Sequence, residues 1–162
     1  LEILEKNENF DVIIGNSMVR KKNHVSKSPR KILNKNTVIS CFSHQSTFTK
    51  AELLKKYLFN TKFKYASDFD FFLKLFKFEK KFLYVNNVVS INKSGGISDK
   101  NRSNVFSEFK NIVLNLNSSF FNIKKIKILI FFNLIKNIIK FFLPNLVIEK
   151  IIFYLDKLKK KD

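Results

Sequence analysis

The sequence predicts an α/β domain followed by a helical tail, and three observations support this prediction. Short runs of β-prone apolar residues alternate with segments whose apolar residues recur at helical spacing. Hydrophobic residues make up 45% of the 162 positions, enough to bury one core. Beyond residue 117 the pattern is helical throughout. We therefore expect a single domain over residues 1–117 and a basic amphipathic helical tail over residues 118–162.

The first third of the chain predicts mainly strands and loops. Residues 1–9 resemble the end of a helix, and "FDVII" at 10–14 predicts a buried strand closed by Gly15-Asn16. Residues 21–36 are polar and basic with Pro29 as a breaker, which predicts a short strand and a long loop. Residues 38–42 and 45–48 are β-prone.

The middle of the chain predicts two helices, each with a capping box. Thr49 and Glu52 in "TKAE" predict a helix that runs to about Tyr57. Ser67 predicts the start of a helix that ends near residue 78, with Asp70 as its capping-box acid. Apolar residues at 69, 72, 73 and 76 give this second helix one apolar face.

Strands are predicted again before the tail. Residues 82–85 and 88–91 predict two strands around a turn at Asn86-Asn87. The stretch "KSGGIS" at 93–98 predicts a flexible loop, and residues 101–116 predict a further helix.

The tail predicts two amphipathic helices in series, over residues 120–143 and, after Pro144, to the lysine cluster at the end. The longest charge-free run, at 128–135, is far shorter than the roughly 20 residues of a membrane span. Polar residues 133, 136, 137 and 140 share one face of the first helix. Residues 120–160 either lie on an anionic membrane surface or pack on the domain.

The charge of the chain is strongly positive. Lys and Arg number 31 against 13 Asp and Glu, a net charge of +18 that attracts phosphate groups. The abundance of Lys, Asn, Ile and Phe is typical of A+T-rich coding DNA, however, and no nucleic-acid-binding motif is present. We therefore do not expect nucleic acid as the partner, although a non-catalytic basic module that binds anionic membrane or nucleic acid stays an alternative.

The single cysteine and the first residues indicate the compartment. Cys41 is alone, which excludes an internal disulfide and fits a reducing compartment. The charged start "LEILEKNENF" is unlike a secretory signal. Because the chain begins with Leu, we expect it to be a piece of a longer protein, and an inactive remnant of a split gene is a further alternative.

Asp68 and His44 are the two positions at which chemistry is plausible. Acidic residues in the first turn of a helix ordinarily stabilise it by interacting with the helix dipole. The predicted cap needs only Ser67 and Asp70, however, which leaves Asp68 available as a general base. A lone histidine is ordinarily structural, and the alternative for His44 is a phosphate or hydroxyl contact in a cleft. The pair Gly95-Gly96 allows close approach of a ligand or forms a plain turn.

The order of these segments resembles the second half of a family 2 glycosyltransferase, close to bacterial enzymes that build surface polysaccharides. The resemblance rests on "FDVIIGN", "SHQSTFTKAELLKKY", "KYASDFDFFLKLF" and "FLYVNNVVSINKSGGIS", and it covers about residues 10–100. It implies a partial GT-A fold, the Rossmann-like fold of nucleotide-diphospho-sugar transferases, without the nucleotide-binding half.

The resemblance also implies an inverting transfer with Asp68 as the catalytic base. Asp68 would deprotonate an acceptor hydroxyl, which attacks the anomeric carbon while the nucleotide diphosphate leaves. Ser67 stands where most of the family has Glu, so one carboxylate carries the match. The resemblance places the following residues in the acceptor or donor cleft: His44, Gln45, Asp70, Gly95, Gly96 and Ser98.

The donor side of the family's site is missing from the sequence. The strand that binds uridine and the Asp-x-Asp that holds a divalent metal are not found, and "DFD" at 68–70 lies within a helix rather than at a strand end. We expect Mg²⁺ or Mn²⁺, a nucleotide-sugar donor and a saccharide acceptor in the full-length parent. We expect no metal on this fragment, which alone should be inactive. The resemblance implies a cytoplasmic location, peripheral at the inner face of the cell membrane.

Overall fold

A computed structural model describes residues 2–20, 25–28, 31–116 and 120–142, and it confirms the α/β class. The strands are β1 (Val12–Arg20), β2 (Val25–Lys27), β3 (Thr47–Thr49) and β4 (Phe82–Lys93). The helices are α1 (Glu2–Glu5), α2 (Ala51–Tyr57), α3 (Ser67–Lys77), α4 (Ile97–Lys100), α5 (Arg102–Asn115) and α6 (Phe120–Phe142). A single 3₁₀ turn covers His44–Ser46.

The four strands form one mixed sheet with β1 at its centre. Strand β4 runs parallel to β1 over its whole length, from Val12 opposite Phe82 to Arg20 opposite Lys93. Strands β3 and β2 pair antiparallel with the beginning and the end of β1. The same β1 residues also pair with β4. Strands β2 and β3 must therefore both lie along the other edge of β1.

The predicted end of β1 at Gly15-Asn16 is wrong, because the strand continues through this pair to Arg20. A Cβ atom at Gly15 would lie 2.2 Å from Cγ2 of Val89 and 3.1 Å from the carbonyl oxygen of Asn87. Gly15 therefore permits the close approach of β4 rather than a turn.

The predicted turn at Asn86-Asn87 is also wrong, because β4 is one continuous strand. The register is irregular here: Ile14 faces Tyr84, whereas Asn16, two residues on, faces Val88. The side-chain amide of Asn16 donates a hydrogen bond to the carbonyl of Asn86, with 2.7 Å between the nitrogen and the oxygen. Asn86 and Asn87 therefore lie in an irregular part of β4, similar to a β-bulge, and do not reverse the chain.

The β-prone segments before α2 form less strand than the sequence predicts. Only Thr47–Thr49 is paired, and residues 31–43 follow an irregular path. Leu33 and Val38 are nevertheless buried, and the hydroxyl of Tyr84 accepts a hydrogen bond from the N–H of Leu33 at 3.0 Å. These anchors fix the loop that leads to His44.

The helices α2, α3, α5 and α6 are confirmed, but both predicted capping boxes are wrong. Helix α2 begins after Lys50 without a side-chain cap, because Thr49 belongs to β3 and the N–H of Lys50 donates to the carbonyl of Asp11. Helix α3 begins after Ala66, also without a side-chain cap.

Helix α3 lies at the centre of the core. Its residues Phe69, Phe71, Phe72, Leu73 and Leu75 are all buried, so it is covered on a wider face than its spacing predicts. The ring of Phe69 packs edge-on against Phe109 of α5, with 4.7 Å between the ring centres. From β1, the core receives Val12 and Ile14.

The last elements differ from the sequence prediction in one respect. The loop predicted at 93–98 contains the start of the one-turn helix α4, whereas α6 matches its predicted span to within a residue. The predicted helix after Pro144 lies outside the described residues. None of the helices in the described ranges combines the length and the apolar composition that a membrane span requires.

Candidate functional site

The central feature of the site is a pair formed by Asp68 and His44. Oδ2 of Asp68 lies 3.0 Å from Nδ1 of His44, although 24 residues separate them along the chain. The Oδ1 atom of Asp68 accepts the backbone N–H of Phe69 at 2.8 Å. The Asp68 side chain is 28% exposed and that of His44 is 58% exposed, so solutes can reach the pair.

A carboxylate from α5 organises the chain just before Asp68. Glu108 accepts hydrogen bonds from the backbone N–H groups of Lys64, Tyr65 and Ala66, at 2.9, 2.8 and 2.8 Å. Three charge-assisted bonds fix the entry into α3 and so the direction in which Asp68 points. Sequence reasoning missed Glu108, since no local signal joins it to residues more than 40 positions earlier.

Short-range and long-range hydrogen bonds hold the turn that carries His44. Within the turn, the hydroxyl of Ser46 donates to the carbonyl of Ser43 at 2.8 Å, and the hydroxyl of Thr47 donates to the carbonyl of His44 at 2.6 Å. The side-chain amide of Asn92, near the end of β4, donates to the hydroxyl of Ser43 at 3.0 Å. The turn is therefore attached to the sheet.

The neighbouring carboxylate changes the titration of His44. The hydrogen bond to Asp68 raises the pKa of His44 above its ordinary value of 6.5. The partial burial of His44 opposes this rise, and the negative charge of Asp68 adds to it. At lower pH the imidazolium donates from Nδ1 to the carboxylate. In the neutral form, a proton kept on Nδ1 leaves Nε2 as an acceptor.

Asp70 is held differently from Asp68. Its side chain is 3% exposed, and Oδ2 lies 2.6 Å from Nζ of Lys74, one turn further along α3. The two aspartates consequently point to different partners, and "DFD" does not form a paired carboxylate site. Gln45 is exposed beside His44 in the same turn.

The glycine-containing loop lies after the end of β4 and is exposed. Gly95 has φ of +87°, which favours glycine, and its N–H donates to Oδ2 of Asp99 at 2.9 Å. Gly96 and Ser98 are exposed as well. Within the described ranges no hydrogen bond joins this loop to His44 or Asp68. The bond from Asn92 to Ser43 nevertheless brings the strand that precedes the loop to the turn that carries His44.

A separate groove of about 770 Å³ lies between α1 and the edge of the sheet formed by β1 and β3. Its lining includes Phe10, Ile13 and Phe48 with Glu5 and Lys50, but neither His44 nor Asp68. The groove therefore does not include the His44–Asp68 pair.

The residues that the structure describes do not fit a divalent metal. In the described part of the chain, no three His, Cys, Asp or Glu side chains come together in a way that could hold a metal ion. Asp70 is ion-paired with Lys74, and Asp68 is hydrogen-bonded to His44. We therefore derive no step through a metal on this chain.

No protein-family model, curated protein or solved structure matches this chain. The resemblance to family 2 glycosyltransferases therefore stays a prediction, which rests on the ordered motifs of the sequence.

Proposed function

We propose that this chain forms the acceptor side of an inverting family 2 glycosyltransferase of partial GT-A fold. The observation that carries the proposal is the 3.0 Å contact between His44 and Asp68. Both residues belong to motifs of the resemblance, in separate segments, and the fold brings them together on an accessible surface.

In the proposed reaction Asp68 is the general base. A carboxylate offers about four lone-pair positions, and the contacts with His44 and the N–H of Phe69 use two of them. Asp68 can therefore still accept the proton of an acceptor hydroxyl. The hydroxyl oxygen forms a bond to the anomeric carbon of the donor, the bond from that carbon to the diphosphate oxygen breaks, and the diphosphate leaves with the electron pair.

His44 acts in this proposal as a positioning residue. Its Nδ1–H fixes one oxygen of Asp68, which leaves the other lone pairs in a defined direction. Its exposed ring edge and the neighbouring Gln45 are then available to an acceptor hydroxyl or a diphosphate oxygen.

The test uses the chain joined to a donor-binding half, in the longer protein or supplied as a second polypeptide. Asp68→Asn should lower kcat by about 10² to 10⁴ with donor binding unchanged, as the loss of a general base does. The matched control is Glu52→Gln, which removes an exposed acid from the first turn of α2. Near-normal turnover of Asp68→Asn would refute the assignment.

A second variant tests the division of roles within the pair. His44→Gln should reduce kcat less than Asp68→Asn and should change the pH profile, because it removes a titrating partner. An equally large loss would instead assign proton acceptance to Nε2 of His44.

A further inference from the structure

The outward face of α6 is apolar. Seven large hydrophobic residues on this helix are between 46% and 76% exposed: Ile128, Phe131, Phe132, Leu134, Ile138, Ile139 and Phe142. These residues form the outward apolar face. Contiguous exposed apolar surface of this kind marks a contact with a partner or a membrane.

The inward side of α6 contacts the domain through both polar and apolar side chains. Asn122 is buried, and its amide donates to the carbonyl of Lys35 at 2.8 Å. The amide of Asn137 donates to the hydroxyl of Ser103 on α5 at 3.3 Å. Ile126 is fully buried on the same side, and Leu129 and Ile130 pack against the core, so the inward side of α6 is apolar as well. A helix on the surface of a water-soluble domain normally keeps its outward side polar. The outward apolar face therefore fits an apolar medium better than water.

The charge of α6 indicates which apolar medium it fits. The helix contains five lysines and neither Asp nor Glu. Lys124 and Lys127 are exposed in its first two turns, next to the outward apolar face, whereas Lys125 donates to the carbonyl of Asn36 on the domain at 3.2 Å. Cations beside a broad apolar face suit the headgroup region of an anionic bilayer, where the lysines meet lipid phosphates and the rings enter the acyl boundary.

We propose that α6 lies in the interface of an anionic lipid bilayer, with its outward apolar face in the lipid and its asparagines toward the domain. A second copy of the chain is a poorer occupant, since two such helices would bring lysines together. Nucleic acid would leave the apolar residues in water. The proposal concerns lipid binding alone and does not rest on the transferase proposal.

The first test is sedimentation of the full chain with vesicles. The chain should bind vesicles that contain phosphatidylglycerol, bind weakly to pure phosphatidylcholine, and lose part of its binding as salt rises. Replacing Ile138 and Ile139 by Ser should lower the partition coefficient about tenfold or more, because two isoleucines no longer enter the lipid. The matched control replaces Ile32 and Ile91 by Ser. These two residues are similarly exposed but lie outside α6, so this variant should bind the vesicles normally.

A fluorescence test measures which surface enters the lipid. The chain contains no tryptophan, so one introduced residue is the sole indole reporter. Phe131→Trp should shift its emission to shorter wavelength when phosphatidylglycerol vesicles are added. Phe78→Trp, at a residue 53% exposed against 60% for Phe131, should not shift.

Three results would overturn the proposal. Equal binding of the Ile138/Ile139 variant and its control would mean that the outward apolar face does not enter lipid. Equal binding to neutral and anionic vesicles would remove the role of the lysines. If the full chain did not bind vesicles but formed a dimer, and the Ile138/Ile139 variant did not dimerise, the outward apolar face would instead bind a second copy of the chain. None of these results bears on Asp68, so the two proposals fail independently.

Discussion

The imidazole of His44 and the carboxylate of Asp68 are hydrogen-bonded across 24 residues, with 3.0 Å between Nδ1 and Oδ2. The two groups come from a 3₁₀ turn attached to β4 and from the first turn of α3, and each is fixed by further hydrogen bonds. Because the carboxylate favours the protonated imidazole, the pair has a titration that can be measured directly.

The pKa of His44 should lie above 6.5 and should fall toward that value in Asp68→Asn. Titration of the imidazole resonances by NMR measures both values, and His24→Gln identifies the signals of His44. A pKa that is the same with and without the Asp68 carboxylate would contradict the contact.

The same pair should give stability a weak dependence on pH. Since the pKa of His44 is raised on folding, its contribution is complete below about pH 6.5 and is lost as the pH rises through the folded-state pKa. The side chains are partly exposed, so we expect about 1 kcal/mol or less. Urea unfolding of the wild type and Asp68→Asn at several pH values should show the difference narrowing at high pH.

Replacing Glu108 should destabilise the domain although the residue is only partly buried. Glu108→Ala removes the acceptor of three backbone N–H groups and should lower the free energy of unfolding by about 2 kcal/mol. Glu8→Ala, at an exposed residue outside the helices, should change it by less than about 0.5 kcal/mol. Denaturant unfolding measures both, and equal effects would show that the Glu108 contacts contribute nothing.

A methyl group at Gly15 should force β1 and β4 apart. Gly15→Ala should cost about 1 to 3 kcal/mol, because its Cβ would meet Cγ2 of Val89 at 2.2 Å. Adding Val89→Ala removes that atom and should recover part of the loss, although the carbonyl of Asn87 stays at 3.1 Å. Additive losses in the double variant would rule out this clash.

The pair formed by Asp70 and Lys74 should respond asymmetrically to substitution. Lys74→Met leaves a buried carboxylate without its cation and should cost about 3 kcal/mol or more. The double variant Asp70→Asn with Lys74→Met should be more stable than Lys74→Met alone, since no charge then stays buried. Thermal unfolding measures the stability of both variants. If Lys74→Met acted only through lost packing, adding Asp70→Asn would not restore any stability.

The sequence predicted the helices well because their signal is local. Spacing of apolar residues located α3, α5 and α6 to within one or two residues. The strands were harder, since the bounds of β1 and β4 depend on their pairing with each other: Gly15 and Asn86 resemble turn residues until the opposite strand is present. The start of α3 at Ser67 was predicted, but its capping box was wrong for a similar reason, because the carboxylate that accepts the N–H groups just before it comes from Glu108 on another helix.

The sequence indicated which residues belong to the candidate site but not how they are arranged. Motif order singled out His44 and Asp68 separately, and their mutual contact needs the loop at 31–43, whose path depends on the buried Leu33 and Val38. Asp70 was predicted beside them, yet its direction follows from the position of Lys74 one helical turn away.

The parallel pairing of β1 with β4 has a consequence for biosynthesis. Asn16 and Asn86, which meet across these strands, are 70 residues apart, so the ribosome must make all of the intervening chain before β1 gains its long neighbour. Until then the apolar strand is open to wrong partners, and a nascent chain stalled before residue 82 should be a strong client for a chaperone.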